Sequence, residues 1–300
     1  LIKSYSSKLS LVSHPFTNSE ISKKKPRDAT KESLSGANIY VLAQVRYPRI
    51  FIEKNNSSSS VDITLSNGIT KSSGSLDIHY ILNANHPNLF KDIANGKYGD
   101  VVFSFKVYSN PDCYLVVFLK DKRTKKIVSE ALIEITGWQF LFYKSNNQTF
   151  IKGFENYIDF FNFKIHYVGK TSKNIFERLS KGHHARGDIL SSERVIDNKS
   201  ILGEELLVLP FKVVKSSKSK SCILSIKEEV DFNEKLLICA LQPEYNQIKY
   251  DNLIEEFSKN CEFDRYQLHI NNGMVLSTSF ARFTTKLRYI LLDHKEIRIY

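Results

Sequence analysis

Between residues 39 and 120 the chain returns repeatedly to short runs of β-branched and aromatic residues: NIYVLAQV, RIFIE, VDITL, LDIHYIL, DVVFSFKVY and CYLVVFLK. Such side chains suit a pleated, half-buried surface, and the clusters NNSSSS, NGITKSSGS and SNPD between them supply turns. This punctuation commits residues 36–150 to a mostly antiparallel, β-rich domain, with one short helix at NLFKDIAN and an end near ITGWQFLFYKSNN. The first 35 residues, including ISKKKPRDATKESLSG, are rich in Ser and Lys and lack an apolar period. They read as a flexible basic arm.

The character changes after about residue 150. FKIHYVG reads as a strand with Phe163, Ile165 and Tyr167 on one face, and Ser172 as the N-cap of a helix through KNIFERLSK. EELLVLPFKVV is another strand, a basic loop KSSKSKS intervenes, and a helix around NEKLLICAL stops at Pro243. Alternating strands and helices over residues 151–250 predict a small α/β domain. Residues 251–300 return to strand patterning as a C-terminal β-rich extension, so the fold class expected is α+β.

The formal charge is +11, and residues 1–150 hold 20 basic against 12 acidic side chains. Excess positive charge favours a polyanionic partner, because neutralised phosphates release condensed counterions. No apolar run reaches the ~20 residues that span a bilayer. The four cysteines (Cys113, Cys222, Cys239, Cys261) are scattered without a C-x-x-C pair, which fits reduced thiols rather than structural zinc. With no apolar secretory core at the start, a cytoplasmic, membrane-free protein is expected.

GKT at 169–171 invites a nucleotide phosphate loop, but that loop needs a glycine five residues earlier, where Lys164 stands. A nuclease motif beginning at Pro111-Asp112 also fails, since Asp121 is followed two residues later by Arg123 rather than Lys. Tyr167-Val168-Gly169, Arg178, and the run EKLLICALQPEYN, in which Glu234 precedes Pro243 by nine residues and Asn246 by twelve, make a third pattern. Together they resemble the GIY-YIG endonuclease family over about residues 155–250. The resemblance implies an antiparallel sheet flanked by helices and hydrolysis of DNA phosphodiester bonds with Mg²⁺ or another divalent cation such as Mn²⁺.

It further implies Tyr167, Arg178, His183 and Glu234 as catalytic residues. Glu234 would be the metal ligand, and Gly169, Lys170 and Asn246 would contact substrate. The family's first tyrosine has no plain counterpart; Tyr157 in ENY, ten residues before Tyr167, is the candidate. Each residue also has a structural reading. Tyr167 suits a core position, Arg178 a solvated helix flank, and a His183-His184 pair a helix end. His184 and Asp188 at helical spacing form two metal ligands without a third. Asp231 and Glu234 have capping-box spacing, which would make Glu234 structural. A helix starting earlier would instead put Glu234 on the face of Val230, Leu237, Ile238 and Leu241, where a buried carboxylate needs a partner. Two other readings stand beside the nuclease: a non-catalytic nucleic-acid-binding protein on a degenerate GIY-YIG scaffold, and a protein-interaction module.

Overall fold

The computed structural model describes residues 2–22, 32–53, 60–108, 113–180, 183–193, 204–215, 224–261, 263–285 and 288–300. The chain is a strand-rich mixture of α and β that divides into two compact units. Of the described residues, the first takes those within 1–45, 161–195 and 204–300, and the second those within 46–160.

In chain order, the first unit opens with β1 (Ser4–Leu11), β2 (Phe16–Thr17), α1 (Asn18–Ser22) and β3 (Ile39–Arg46). The second unit contains β4 (Arg49–Ile52), β5 (Ser60–Ser66), β6 (Lys71–Asp77), α2 (Ile78–Asn85), α3 (Leu89–Ala94), β7 (Val101–Tyr108), β8 (Tyr114–Asp121), β9 (Ile133–Thr136), α4 (Gly137–Ser145) and β10 (Ile151–Gly153). The first unit resumes with β11 (Asn162–Lys170), α5 (Ile175–Ser180), α6 (His184–Ser192), β12 (Glu204–Lys215), α7 (Ile226–Leu241) and α8 (Leu253–Asn260). It closes with β13 (Arg265–Ile270), β14 (Val275–Ser277), β15 (Arg282–Thr284), β16 (Tyr289–Asp293) and β17 (Ile297–Ile299).

Boundaries at residues 35, 150 and 250 do not match this division. The expected arm supplies β1, whose Tyr5, Ser7, Leu9 and Leu11 are buried at a two-residue period. A serine in one of those inward positions hides the period from a hydropathy reading. Residues 23–31 of the arm lie outside the described residues. At the other end β13 pairs in parallel with β1, so residues 251–300 belong to the first unit, with their strands in its sheet, rather than to an extension.

That sheet has ten strands in the order β15-β14-β11-β3-β12-β1-β13-β16-β17, with β2 beside β12. It is mixed rather than antiparallel, because β1–β13 and β11–β14 run parallel. Apolar Ile39 to Ala43 are buried without alternation, as in a strand covered on both faces. Tyr40 and Leu42 pack on one side with Ile175, Phe176, Leu179, Ile189, Leu206 and Val208.

In the second unit, β10-β6-β5-β4 and β7-β8-β9 form two antiparallel sheets. LDIHYIL is not one strand: the Asp77 carboxylate accepts from the Tyr80 N–H and starts α2 at Ile78. GWQFLFYKS is a helix opened by a reciprocal Thr136–Gln139 capping box.

Candidate active site

Three local features of the first unit assemble a cleft. In β11 a bulge falls at His166, since Ile165 faces Ala43 and Tyr167 faces the adjacent Leu42. Neighbouring positions on β3 point to opposite faces, so Tyr167 parts company with Phe163 and Ile165. It turns instead toward Tyr40 and Leu42 and packs against their apolar cluster.

Next comes α5, capped by Asn174 rather than Ser172, with the Asn174 carboxamide oxygen accepting from the Phe176 N–H at 2.8 Å. Its buried stripe of Ile175, Phe176 and Leu179 leaves Arg178 exposed on the flank. Last, α7 begins about two turns before the sequence places it, at a Ser225–Glu228 capping box. Glu234 is therefore mid-helix, with Val230, Leu237, Ile238 and Leu241 buried around it, and the Asp231–Glu234 capping box does not form. The helix ends at Gln242, whose left-handed φ of 49° precedes Pro243.

A cleft of about 330 Å³ opens between these elements, lined by Tyr167, Arg178, His183, Glu234, Tyr245 and Tyr250 among others. Residues scattered over more than eighty positions thus face one volume. His184 and Asp188 also line it, but among the described residues no group of three His, Cys, Asp or Glu side chains could hold a metal. Tyr157 belongs to a 3-10 turn in the other unit and is not among the lining residues.

Behind Tyr167 lies the residue that local spacing does not reveal. Tyr40 pairs in register with Gly169, and its ring centroid is 6.0 Å from that of Tyr167. A Cβ on Gly169 would lie 2.6 Å from the Tyr167 ring and 2.7 Å from both Cζ and the hydroxyl of Tyr40. The glycine makes room for two phenol rings. The signal for Tyr40 is the Ile39-Tyr40 pair opening NIYVLAQV, separated from Tyr167 by the whole second unit.

The hydroxyls form a directed chain. His183 caps α6, its Nδ1 accepting from the Arg186 N–H at 3.4 Å, so the ring proton sits on Nε2. Nε2 lies 2.9 Å from the Tyr40 hydroxyl and donates to it. Burial, with Arg178 and Arg186 nearby, depresses His183 to about 4, so the imidazole is neutral. Tyr40 is fully buried, and burial raises its pKa. A hydrogen bond between the two phenols raises Tyr40 and lowers Tyr167, and because Tyr40 accepts from His183, its own proton is the one it offers to Tyr167. Burial still leaves Tyr167 above the ordinary phenol value, so it too carries its proton, and that proton is left for the cleft.

Glu234 is only 8 % exposed, and burial raises its pKa despite the Lys170 ammonium 2.8 Å from Oε2. Lys170 also pairs with Asp231. Asn246 spends its carboxamide on the backbone: Oδ1 accepts from the Val168 N–H at 2.9 Å and Nδ2 donates to the Val168 carbonyl at 2.8 Å. It fastens the segment after Pro243 to β11 instead of offering itself to a ligand. Glu193 reinforces this clasp by accepting from Tyr245 at 3.0 Å and Lys164 at 2.7 Å.

No family model, curated protein or solved structure matches this chain. The geometry stands alone. It offers one exposed guanidinium, one protonated phenol held by a hydrogen-bonded relay, and one buried carboxylate, all facing a polar, open cleft.

Proposed function

We propose that the protein is a GIY-YIG-like endonuclease that hydrolyses DNA phosphodiester bonds with a divalent cation. The observation that carries this reading is the convergence of Tyr167, Arg178 and Glu234 on one cleft, with Tyr40 and His183 behind the phenol. Arg178 offers a fixed fork of donors to phosphate oxygens, where charge accumulates during displacement. The Tyr167 hydroxyl, held by Tyr40 and keeping its own proton, orients the attacking water, whose proton leaves to solvent through the open cleft. Tyr40 is buried and acts through Tyr167, so it positions rather than touches substrate. His183, neutral and bonded at both nitrogens, does the same for Tyr40.

The residues fit a magnesium-type ion, which keeps most of its waters and takes only one or two protein carboxylates. Glu234 would hold it, since a carboxylate whose burial penalises ionisation is relieved by a cation. When bound, the ion supplies charge neutralisation at the phosphate and at the departing oxygen. Lys170 supplies the positive charge beside Glu234 in this structure and would move aside or share it.

That ammonium favours one alternative, a nucleic-acid-binding protein on the same scaffold in which Lys170 replaces the cation permanently. Plasmid DNA incubated with and without Mg²⁺ separates the two. The endonuclease predicts metal-dependent nicking that Glu234→Ala abolishes while the fold and DNA binding persist. Salt-sensitive binding without nicks establishes the alternative.

A further inference from the structure

The second unit carries the densest run of positive charge among the described residues that is not consumed by the cleft. Between β8 and β9 the sequence reads KDKRTKK, placing Lys120, Lys122, Arg123, Lys125 and Lys126 around a single carboxylate, Asp121. Residues 122 to 128 are all exposed. A charge run is ordinarily a solvated, mobile loop, but this one is tightly built. Asp121 Oδ1 accepts from the Arg123 N–H at 2.9 Å, the Thr124 N–H at 2.6 Å and the Thr124 hydroxyl at 3.0 Å. The Asp121 N–H donates to the Lys126 carbonyl at 2.9 Å, and the Lys125 N–H to the Asp121 carbonyl at 3.0 Å. The one acid is thus turned inward to shape the turn, while the cations point out of it.

Lys120 is half-buried in β8 and Lys122 pairs with Asp100 at 2.5 Å, leaving Arg123, Lys125 and Lys126 as the projecting set. Beside them Ile127 and Val128 are 52 % and 41 % exposed, although each continues a ribbon of ordered backbone. Holding like charges together on a rigid turn is unfavourable unless a polyanion meets them. Ordering them in advance lowers the entropy lost when it does. The width of a two-stranded ribbon suits a duplex groove, and exposed aliphatic side chains next to arginine are the kind that press against bases or sugars.

We infer that the 120–128 turn of the second unit is a nucleic-acid docking element that grips the phosphates of a DNA duplex, separately from the cleft. This rests on the proposed function for the choice of nucleic acid over other polyanions. The test compares three full-length proteins by fluorescence anisotropy on a labelled DNA duplex over about 50–200 mM salt. They are the parent, a turn variant (Arg123→Gln, Lys125→Asn, Lys126→Gln) and a charge-matched control (Lys71→Gln, Lys152→Gln, Lys212→Gln). Asparagine is chosen at 125 because that residue has φ 60°, and the control lysines are exposed. Three lost phosphate contacts would make the slope of log K against log salt shallower by about 2.7. That change in the turn variant alone, with an unchanged melting temperature, supports the inference.

An unaltered slope, or equal losses in turn variant and control, overturns it. Anionic phosphatidylserine vesicles provide the other arm: loss of vesicle binding with DNA binding intact overturns it in favour of a membrane surface. Repeating the titration in a Glu234→Ala background keeps the two readings apart. Turn-dependent binding there stands even if no metal-dependent nicking is ever observed.

Discussion

Gly169 carries the narrowest constraint in the site. An alanine there would press a methyl group into both phenol rings. Gly169→Ala should destabilise the fold by about 1–3 kcal/mol, an overpacking cost measurable by denaturant melts, and should lower activity more than binding. Tyr40→Phe tests the relay from the other side. It keeps the ring but removes the donor to Tyr167 and the acceptor for His183. Nicking should fall by about 10²-fold with DNA affinity unchanged. The alkaline limb of the pH–rate profile should also move upward, because Tyr167 loses the bond that stabilises its phenolate; a purely structural tyrosine would leave that limb in place. Tyr167, Arg178 and Glu234 were singled out by their order and spacing along the chain, and the structure places all three on one cleft. Tyr40 was not, since a strand register, rather than a sequence interval, sets it beside Gly169.

The elements that deliver those residues were only partly readable. β11, β12 and the core of α7 follow from periodicity and β-branched content. The bulge at His166 does not, because register belongs to the pair of strands rather than to either one. The early start of α7 is different: Ser225 and Glu228 satisfy each other's backbone donors, a local Ser-x-x-Glu signal that lies upstream of the apolar run NEKLLICAL. Asn246 shows how such an element is held. Its truncation to alanine would leave the Val168 N–H and carbonyl unpaired in a buried setting, costing about 2–4 kcal/mol in denaturant melts. Since Val168 lies next to Tyr167, the same variant should lose nicking without losing metal-independent DNA binding. Ser225→Ala, at the far end of α7, should cost about 1 kcal/mol and leave nicking intact, which separates helix stability from clasping.

At the scale of the whole molecule, charge and burial pull in different directions. The basic composition was plain from the sequence, but its division between two units was not, because the second unit lies within the chain of the first. Burial also leaves an acid-sensitive signature in the first unit. His14 is depressed to about 3 by burial, and His166 and His183 to about 4, each from a reference near 6.5. Each depressed group stabilises the fold above the unfolded value, and that contribution is lost as pH falls toward the folded one, because the unfolded chain takes up the proton first. Glu234 opposes them, since its raised value lets the folded state bind a proton early. Between about pH 6 and 4.5, unfolding should therefore take up roughly two to three protons, each worth about 1.4 kcal/mol per pH unit. Guanidinium midpoints measured across that window read this directly. His183→Gln should remove one proton from the slope, and a slope unchanged by that substitution would mean that His183 is not held neutral against Tyr40.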